Sequence, residues 1–494
     1  MSSVRRSGGV FDVIRSRRKL QTETLAALMV GLALIPEAIS FSVIDHVDPR
    51  VGLFSAFTMA VSIAFLGGRP AMISAATGSV SLVAAPLARE YGLQYLIAAV
   101  LLGGAVQVVL GVLGVAKLMR FVPRSVMIGF VDALGVLLFV AQLPNLEHVP
   151  WAVYPLVVAA LLVIVGFPLL TKAVPAPLVA VVVLTIFTVV AGVSVPTVGD
   201  KGKLPNSLPM LGLPQVPYSL HTLQLIALPA VGMALVGLME SLLTAKLVDD
   251  LTDSGSDKTR ECVGQGGANL ITGFLGGMGG CALIGETLIN IRAGARSRLS
   301  TFLAGAFLLI LVVVLGPVVA RIPMAALVGV MFFVSATTFD WHSIRPNRLR
   351  RMPVSETAVM VVTVAVTLAT GNLAYGVLAG VVTAALVFAR RVAHLAAVTS
   401  VLDPDGATVV YAVTGQLFFA SSNDLADRFD YAGDPDRVVI DLSQAHVWDA
   451  SSVATLDSIA AKYAARDKGV ELIGLNGHSA DLHGRLSGHM SSSH

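Results

Sequence analysis

Charged residues are scarce in this sequence: only 13% of its 494 residues are Asp, Glu, Lys or Arg, whereas 55% are hydrophobic. With a mean hydropathy of +0.80, the chain would expose more apolar surface than water tolerates, which excludes a water-soluble protein. The first apolar run, residues 26–41, lacks a small-residue cleavage site, so it is a retained span and not a secretion signal. The sequence therefore predicts a polytopic protein of the inner (plasma) membrane, with lipid as its main solvent.

Cysteines are equally scarce, since the chain contains only Cys262 and Cys281. Two cysteines in apolar or loop surroundings exclude a disulfide framework and a thiolate metal cluster. The cytoplasmic segments also lack a Ser/His/Asp constellation and a phosphate-binding glycine loop, and their histidines are scattered. We therefore expect a protein that is not an enzyme, with no cofactor, no metal and no nucleic-acid partner.

The sequence does contain about fourteen apolar segments, two of which are too short to cross a bilayer as continuous helices. Their centres lie near residues 33, 59, 83, 103, 134, 160, 185, 236, 269, 287, 310, 332, 363 and 384. The leader, residues 1–21, and the loops after even-numbered spans hold most of the basic residues, so the positive-inside rule makes both termini cytoplasmic. The basic residues between spans on the outer side are few: Arg50, Arg89, Lys201, Lys203 and Arg321.

The character of the sequence changes after about Val398. Residues 409–414, 417–420, 438–442 and 470–475 have the pattern of short strands, and residues 424–429 and 453–465 have that of helices. The sequence therefore predicts three parts. They are the leader 1–21, an α-helical membrane domain 22–395, and a small cytoplasmic α/β domain 396–494.

Two segments, residues 71–86 and 276–290, break long hydrophobic runs with glycines and hydroxyls at membrane depth. Irregular backbone persists in a bilayer only where protein or a water-filled cavity covers it. We expect each segment to form an extended stretch and then a half-helix, whose unpaired N–H groups near the midplane would bind an anion. The alternative is that the glycines only permit close helix packing. The N–H groups in question belong to Thr77, Gly78, Ser79, Ile284, Gly285 and Glu286.

The two halves of the membrane domain carry a faint repeat. Glu37 in the first span and Glu240 in the eighth are 203 residues apart, and Phe-Leu-Gly-Gly closes both the second and the ninth span. Seven spans per half, an odd number, place the second half upside down relative to the first. The sequence therefore predicts an inverted repeat of seven plus seven segments.

Carboxyl groups inside the membrane are costly and are therefore candidates for function. Glu240 lies one helical turn before Thr244, so both side chains face the same way. This pair can bind a proton, which the loss of hydration favours, or a sodium ion. The alternative for Glu240 is a carboxyl satisfied by neighbouring helices, and Glu37 and Glu286 are further candidates for the site. We expect that structural role for Asp132 in the fifth span.

Three stretches of the chain resemble one family. Residues 36–42, Pro-Glu-Ala-Ile-Ser-Phe-Ser, are similar to the Pro-Gln-Gly-x-Ala-Tyr-Ala signature of the SulP/SLC26 anion transporters, and residues 48–53 and 264–269 are similar to further family stretches. The resemblance covers essentially the full length and includes a carboxy-terminal STAS domain. It implies a core domain that moves against a gate domain, a homodimer, and a site between the third and tenth segments. The residues that it places at this site are Glu37, Phe41, Gly78, Ser79, Glu240, Thr244, Ile284 and Gly285.

The chain also departs from the family pattern. Glu37 stands where the family commonly has Gln, Glu286 adds a carboxyl, and no Arg occupies the start of the tenth segment, where many sulfate and chloride carriers have one. The missing cation argues against chloride exchange. We therefore expect a secondary active transporter of a small anion, a sulfate-like oxyanion or a dicarboxylate, with proton-coupled symport by alternating access.

Two alternatives stay open. The pairing of Glu240 with Thr244 resembles the sodium site of the family's bicarbonate carriers, so sodium-dependent bicarbonate transport is the first. The second is a membrane-anchored STAS signalling protein. In the tail, Ser451 matches the position that is phosphorylated in the related anti-sigma-factor antagonists, which makes it a candidate regulatory residue. That Ser can also simply cap the helix that begins near Val453.

Overall fold

The structure is a computed structural model that describes residues 13–117, 122–171, 174–202, 209, 211–393 and 396–487. It divides into two compact units, Met1–Val381 and Val382–His494. Residues 1–12 of the leader, Lys203 on the outer side, and residues 488–494 of the predicted α/β domain lie outside the described residues.

The membrane domain is built from helices, and among the described residues fourteen of them coincide with the predicted segments. They are α1 (Arg17–Ile44), α2 (Pro49–Leu66), α3 (Gly78–Tyr91), α4 (Leu93–Val112), α5 (Arg124–Val140), α6 (Val153–Gly166), α7 (Ala176–Val190), α8 (Leu220–Thr252), α9 (Lys258–Phe274), α10 (Ile284–Arg292), α11 (Arg298–Val319), α12 (Met324–Thr338), α13 (Val354–Thr370) and α14 (Leu373–Ala393). Each predicted centre falls inside one of these helices. Short helical turns lie between them at Leu143–Leu146, Phe167–Leu169, Val198–Lys201 and Pro346–Leu349.

Local sequence explains where several helices begin. Pro49 occupies the first turn of α2, where its missing N–H costs no hydrogen bond. The side chains of Ser219, Asp257 and Ser297 accept backbone N–H groups at the starts of α8, α9 and α11.

Seven helices in the described part of the chain are long and apolar enough to cross a bilayer. The protein is therefore a membrane protein.

Between the helices, the two broken segments form short strands at the centre of the fold. Strand β1 (Ser74–Ala76) precedes α3, strand β2 (Gly280–Ala282) precedes α10, and the two pair antiparallel with Ala75 opposite Cys281. Gly280 is required there, because a Cβ at this position would overlap the carbonyl of Ala75. The prediction of an extended stretch followed by a half-helix is confirmed in both segments.

Polar side chains satisfy the backbone of these strands at a depth where water is absent. The amide of Asn269 donates to the carbonyl of Gly280 over 3.0 Å and accepts from its N–H over 2.9 Å. Ser241 accepts from the N–H of Ala282 over 3.1 Å. Because unpaired amides are costly in hydrocarbon, these side chains are what allow irregular backbone at this point.

The helices pack in two groups. Helices α1–α4 contact α8–α11, whereas α5–α7 contact α12 and α5 also contacts α13, as expected for a core domain and a gate domain related by an inverted repeat. In the first group, α4 and α9 approach so closely that a Cβ on Gly104 would meet the carbonyl of Gly266 at 2.9 Å, and the reverse contact would measure 2.6 Å. Small residues at such crossings allow the tight helix packing on which membrane proteins depend.

The second unit contains a four-stranded sheet after the end of α14. Its elements are β3 (Ala397–Leu402), β4 (Thr408–Leu417), α15 (Phe419–Leu425), the turn Ala426–Arg428, β5 (Arg437–Val447), α16 (Ala450–Ala464), β6 (Gly469–Ile473) and α17 (Gly477–Leu486). The sheet order is β3-β4-β5-β6, with β3 antiparallel to β4 and the other pairs parallel. The predicted α/β class is confirmed.

One predicted strand in this domain, residues 417–420, is wrong. Strand β4 ends at Leu417 and α15 begins at Phe419. The hydroxyl of Ser421 accepts from the N–H of Phe418 over 3.0 Å, and this bond stabilises a helix start where the apolar sequence alone indicates a strand.

Candidate functional site

Strands β1 and β2 pair antiparallel directly before the two half-helices, so α3 begins at one end of this short ladder and α10 begins at the other. Helix α3 follows Thr77 and helix α10 follows Leu283, both with extended backbone and without a side-chain cap. The first N–H groups of each helix therefore have no partner within the helix and carry a partial positive charge. Gly285 in the first turn of α10 is exposed, with open space where a side chain would be.

The carboxyl of Glu240 on α8 connects both broken segments. The hydroxyl of Ser79 and the thiol of Cys281 donate to the same carboxyl oxygen, and the thiol contact measures 3.1 Å. The hydroxyl of Thr77 lies 3.1 Å from the same sulfur. The side chain of Glu240 is only 7% exposed. One carboxyl is thus held by α3 on one side and by β2 on the other.

Thr244 lies one turn after Glu240 on the same helix and is fully buried. Its hydroxyl donates to the backbone carbonyl of Glu240 over 2.8 Å rather than to the carboxyl. The two residues share a helix face, but the structure does not join their side chains by a hydrogen bond.

A second pair of carboxyls lies across the start of α10. The carboxyls of Glu37 on α1 and Glu286 in the first turn of α10 are close enough to interact, and Glu286 is buried. Two negative charges this close repel each other strongly in a medium of low dielectric constant. Glu37 is also close enough to Glu240 for electrostatic repulsion between them. Three carboxyls therefore surround the two positive helix ends.

An apolar wall closes one side of this site. Phe41 on α1 is 2% exposed, and a Cβ on Gly78 would come within 2.9 Å of its ring and would also overlap Leu138 of α5. The glycine therefore lets the start of α3 approach both the core helix α1 and the gate helix α5. Ile284, the first residue of α10, is partly buried at the same level of the fold.

Several residues around this site were not singled out by the sequence. One of them is Cys281, although its place inside the second broken segment was a signal for the site. Leu138 lies in the apolar run 133–140 of α5 and carries no such signal. Gln107 accepts from the amide of Asn269 over 2.8 Å and extends the polar network that holds β2.

Two other sequence predictions have clear outcomes. Asp132 on α5 accepts from the backbone N–H of Asp340 over 2.8 Å and from the hydroxyl of Ser343 over 2.6 Å, so its structural role is confirmed. Ser451 is exposed in the first turn of α16. The expectation that it caps this helix is wrong, because Asp449 is the capping residue and accepts from the N–H of Ser452 over 3.0 Å.

Comparison with known proteins gives matches along most of the chain. Residues 20–150 and 145–363 match the model of the Sulfate permease family, and residues 400–487 match the model of the STAS domain. "Putative sulfate transporter YbaR" of Bacillus subtilis is 50% identical over 94% of this chain and 96% of that protein. The bicarbonate transporter BicA of Picosynechococcus is 25% identical over 93% of this chain and 89% of its own length.

Solved structures agree with the architecture. The transmembrane domain of a cyanobacterial BicA superposes with a TM-score of 0.65 and 25% identity, over 75% of this chain and 98% of that domain. SLC26A9 superposes with a TM-score of 0.80 over 96% of this chain and 87% of its own, at 17% identity. The second likeness concerns the fold alone, and it includes both the helices and the α/β domain.

Proposed function

The chain belongs to the sulfate permease family, and from that premise we propose that it is a secondary active transporter of a small anion. Its relatives include proteins named as sulfate and bicarbonate transporters, and these names support anion transport in general. The observation that carries the proposal is the pair of uncapped helix starts at the two ends of the β1–β2 ladder, inside the membrane domain. Two such ends attract a negative charge without a fixed cationic side chain.

Glu240 couples this site to protons. As a carboxylate it accepts from Ser79 at the start of α3, so it satisfies a donor that an anion would otherwise use. Its negative charge also opposes that of the anion across a short distance in a medium of low dielectric constant. Protonation removes the charge and weakens the hydrogen bond from Ser79, since hydrogen bonds to ionised groups are the stronger ones. The neutral form of Glu240 therefore favours anion binding, and proton and anion move together as a symport.

Glu37 and Glu286 restrict which anions fit. Their carboxyls lie beside the start of α10, where a bound anion must also lie, so their negative charge opposes the anion. When one of them holds a proton, it can donate a hydrogen bond to an oxygen of an oxyanion or a carboxylate. A chloride ion lacks such oxygens, so we expect a sulfate-like oxyanion or a dicarboxylate as substrate.

Sodium-dependent bicarbonate transport is the second candidate. It is favoured by the 25% identity with BicA over 93% of the chain, and by the position of Thr244 one turn after Glu240. The Thr244 hydroxyl uses its proton on a backbone carbonyl, which leaves its oxygen lone pairs free to coordinate a cation together with the Glu240 carboxylate.

We place the protein in the plasma membrane as a homodimer with both termini in the cytoplasm. The scarcity of basic residues on one side supports this orientation. The STAS domain then lies in the cytoplasm, where Ser451 is exposed and open to a kinase. A phosphate there would meet the positive end of α16 and also the negative charge of Asp449, so modification would change the local charge of this loop.

Uptake by purified protein in liposomes tests the proposal. Radiolabelled sulfate, bicarbonate, fumarate and chloride are offered with the pH gradient and the sodium gradient varied independently. We expect uptake of an oxyanion or dicarboxylate that an inward proton gradient drives without sodium and that a protonophore stops. Uptake that requires sodium and ignores the pH gradient would favour the bicarbonate alternative, and no uptake of any anion would leave a signalling role.

A further inference from the structure

A cavity of about 450 Å³ lies where α1 and α3 end, on the side of the membrane domain that the charge pattern makes external. The segments around it are the α1–α2 turn, α3, the end of α5 and the one-turn helix Val198–Lys201 before α8. Its lining includes His46, Leu82, Arg89, Pro144, Asn145 and Lys201. We call it the outer cavity.

Two of the few basic residues on the external face line the outer cavity. Of the five outer basic residues between spans, Arg89 and Lys201 line this one cavity although 112 positions separate them in the chain. Both are exposed. Arg89 extends from the core helix α3, whereas Lys201 belongs to the linker that leaves the gate helix α7. The two charges therefore lie on parts of the chain that an alternating-access movement displaces relative to each other.

Arg89 is oriented by a neutral partner. Its Nε and Nη2 atoms lie 3.1 Å and 2.9 Å from Nε2 of His46. A guanidinium group can only donate, so this ring nitrogen must accept and the imidazole is uncharged. Partial burial, together with the positive charges of Arg89 and Lys201, lowers the pKa of His46 and keeps it in that form. The side chain of Arg89 is thus held in place while its charge is left uncompensated.

Lys201 is likewise free of a carboxylate. Its ammonium group lies 3.5 Å from the amide oxygen of Asn145. The adjacent carboxylate, Asp200, accepts instead from the N–H and the hydroxyl of Thr197 over 2.7 and 2.8 Å. Within the part of the chain that the structure describes, the ion pairs do not include Arg89 or Lys201. Asp45, next to His46, is 1% exposed and does not line the cavity.

We propose that the outer cavity is a capture site for a small oxyanion, which Arg89 and Lys201 bind before it enters the central site. The order of these two steps rests on the proposed transport function, whereas the binding itself does not. A guanidinium and an ammonium without carboxylate partners offer several N–H donors to the oxygens of sulfate or of a carboxylate. Charges in a cleft also raise the local concentration of an anion and its association rate.

Equilibrium binding of radiolabelled sulfate to the purified full-length protein tests this site directly. We expect the double variant Arg89→Gln/Lys201→Gln to bind sulfate about tenfold more weakly, since steering charges of this kind contribute factors of ten or more. The matched control is Arg321→Gln, which removes an exposed cation from the same face outside the cavity and should bind as the wild type does. The charge-conserving variant Arg89→Lys/Lys201→Arg should retain binding within about threefold of the wild type, because the cavity keeps both charges.

Uptake kinetics supply a second readout that a merely structural role would not change. The double variant should raise KM for the transported anion about tenfold with an unchanged maximal rate, and it should lose the salt dependence of uptake at low anion concentration. Equal sulfate affinity in the double variant and in Arg321→Gln would overturn the capture site. So would an equal loss of binding in the charge-conserving variant. If the wild type binds sulfate through these residues but transports nothing, the capture site stands and the transport proposal fails.

Discussion

The thiol of Cys281 donates to the carboxyl of Glu240 over 3.1 Å, although 41 residues separate the two in the chain. This contact ties the strand before the second half-helix to the middle of α8. A single carboxyl therefore accepts hydrogen bonds from both broken segments. In the proposed transporter, its protonation state changes the charge and the hydrogen-bond donors that an anion encounters.

Replacing Glu240 by Gln should abolish pH-driven uptake while the protein still folds. The amide is nearly isosteric with the protonated carboxyl, can still bond to Ser79, and cannot release a proton. Uptake into liposomes at several external pH values measures the effect, with Glu356→Gln, an exposed carboxyl on α13, as the control. Retained pH dependence in the Glu240 variant would show that the coupling carboxyl is elsewhere.

Cys281→Ala and Cys281→Ser should differ. Removing the thiol deletes a donor to a buried carboxyl, and hydrogen bonds to charged groups contribute roughly 1.5–3 kcal/mol. Without this donor the carboxylate form is less stable, so Glu240 releases its proton less readily in each cycle. We therefore expect uptake by the alanine variant to fall about tenfold or more, whereas serine supplies a hydroxyl donor and should retain most of it. Equal rates for the two variants would mean that the hydrogen bond to Glu240 does not matter for transport.

Glu286→Gln should admit monovalent anions. The Glu286 carboxyl lies in the first turn of α10, beside the N–H groups that a bound anion needs. Because the substitution removes its charge, chloride should inhibit uptake at severalfold lower concentration than in the wild type. The measurement is a chloride inhibition curve, and an unchanged curve would contradict our view of how this site selects anions.

Gly280→Ala should destabilise the membrane domain. The added Cβ would overlap the carbonyl of Ala75 in the paired strand, and overpacking of this kind costs about 1–3 kcal/mol. Gly285→Ala is the matched control, since open space surrounds that position. Thermal unfolding of both variants in detergent compares them, and we expect a lower Tm only for the first.

The STAS domain should lose stability in alkali through Tyr463. Burial, reinforced by the carboxylate of Asp434 that accepts from its hydroxyl over 2.5 Å, raises the pKa of Tyr463 above its usual value near 10. A group with a raised pKa in the folded state contributes stability below its unfolded pKa and loses that contribution as the pH rises above it.

Proteolysis of the full-length protein measures this loss, because cleavage within the STAS domain reports its unfolding. The wild type should be cleaved increasingly as the pH rises past about 10, where the unfolded tyrosine ionises. Tyr463→Phe should be less stable at neutral pH and should show a smaller change between pH 9 and pH 11. An identical alkaline profile in both proteins would exclude Tyr463 as the group responsible.

The membrane helices and the two breaks could be predicted from the sequence because apolar run length and interruption by glycine are local properties. The family resemblance based on residues 36–42 is confirmed by the match of residues 20–150 and 145–363 to the family model. The start of α15 was predicted as a strand because residues 417–420 are all apolar. The hydroxyl of Ser421, which accepts from the N–H of Phe418, stabilises a helix start there instead.

The contacts inside the site could not be predicted in the same way. Glu37 and Glu286 are far apart in the chain, and only the pairing of β1 with β2 brings α10 to α1. The role of Cys281 depends on the register of that pairing, which places it opposite Ala75. Asp449 and Ser451 are both residue types that cap helices, so the sequence alone does not reveal that Asp449 caps α16.

The antiparallel pairing of β1 with β2 has a consequence for the energetics of transport. In the proposed alternating-access cycle, the backbone bonds that join the strands before α3 and α10 would make the two dipoles travel as one rigid body. A bound anion would then experience the same local field in the inward and the outward orientation. Net flux would be set by the electrochemical gradients, and a reversed proton gradient should run the proposed carrier backwards.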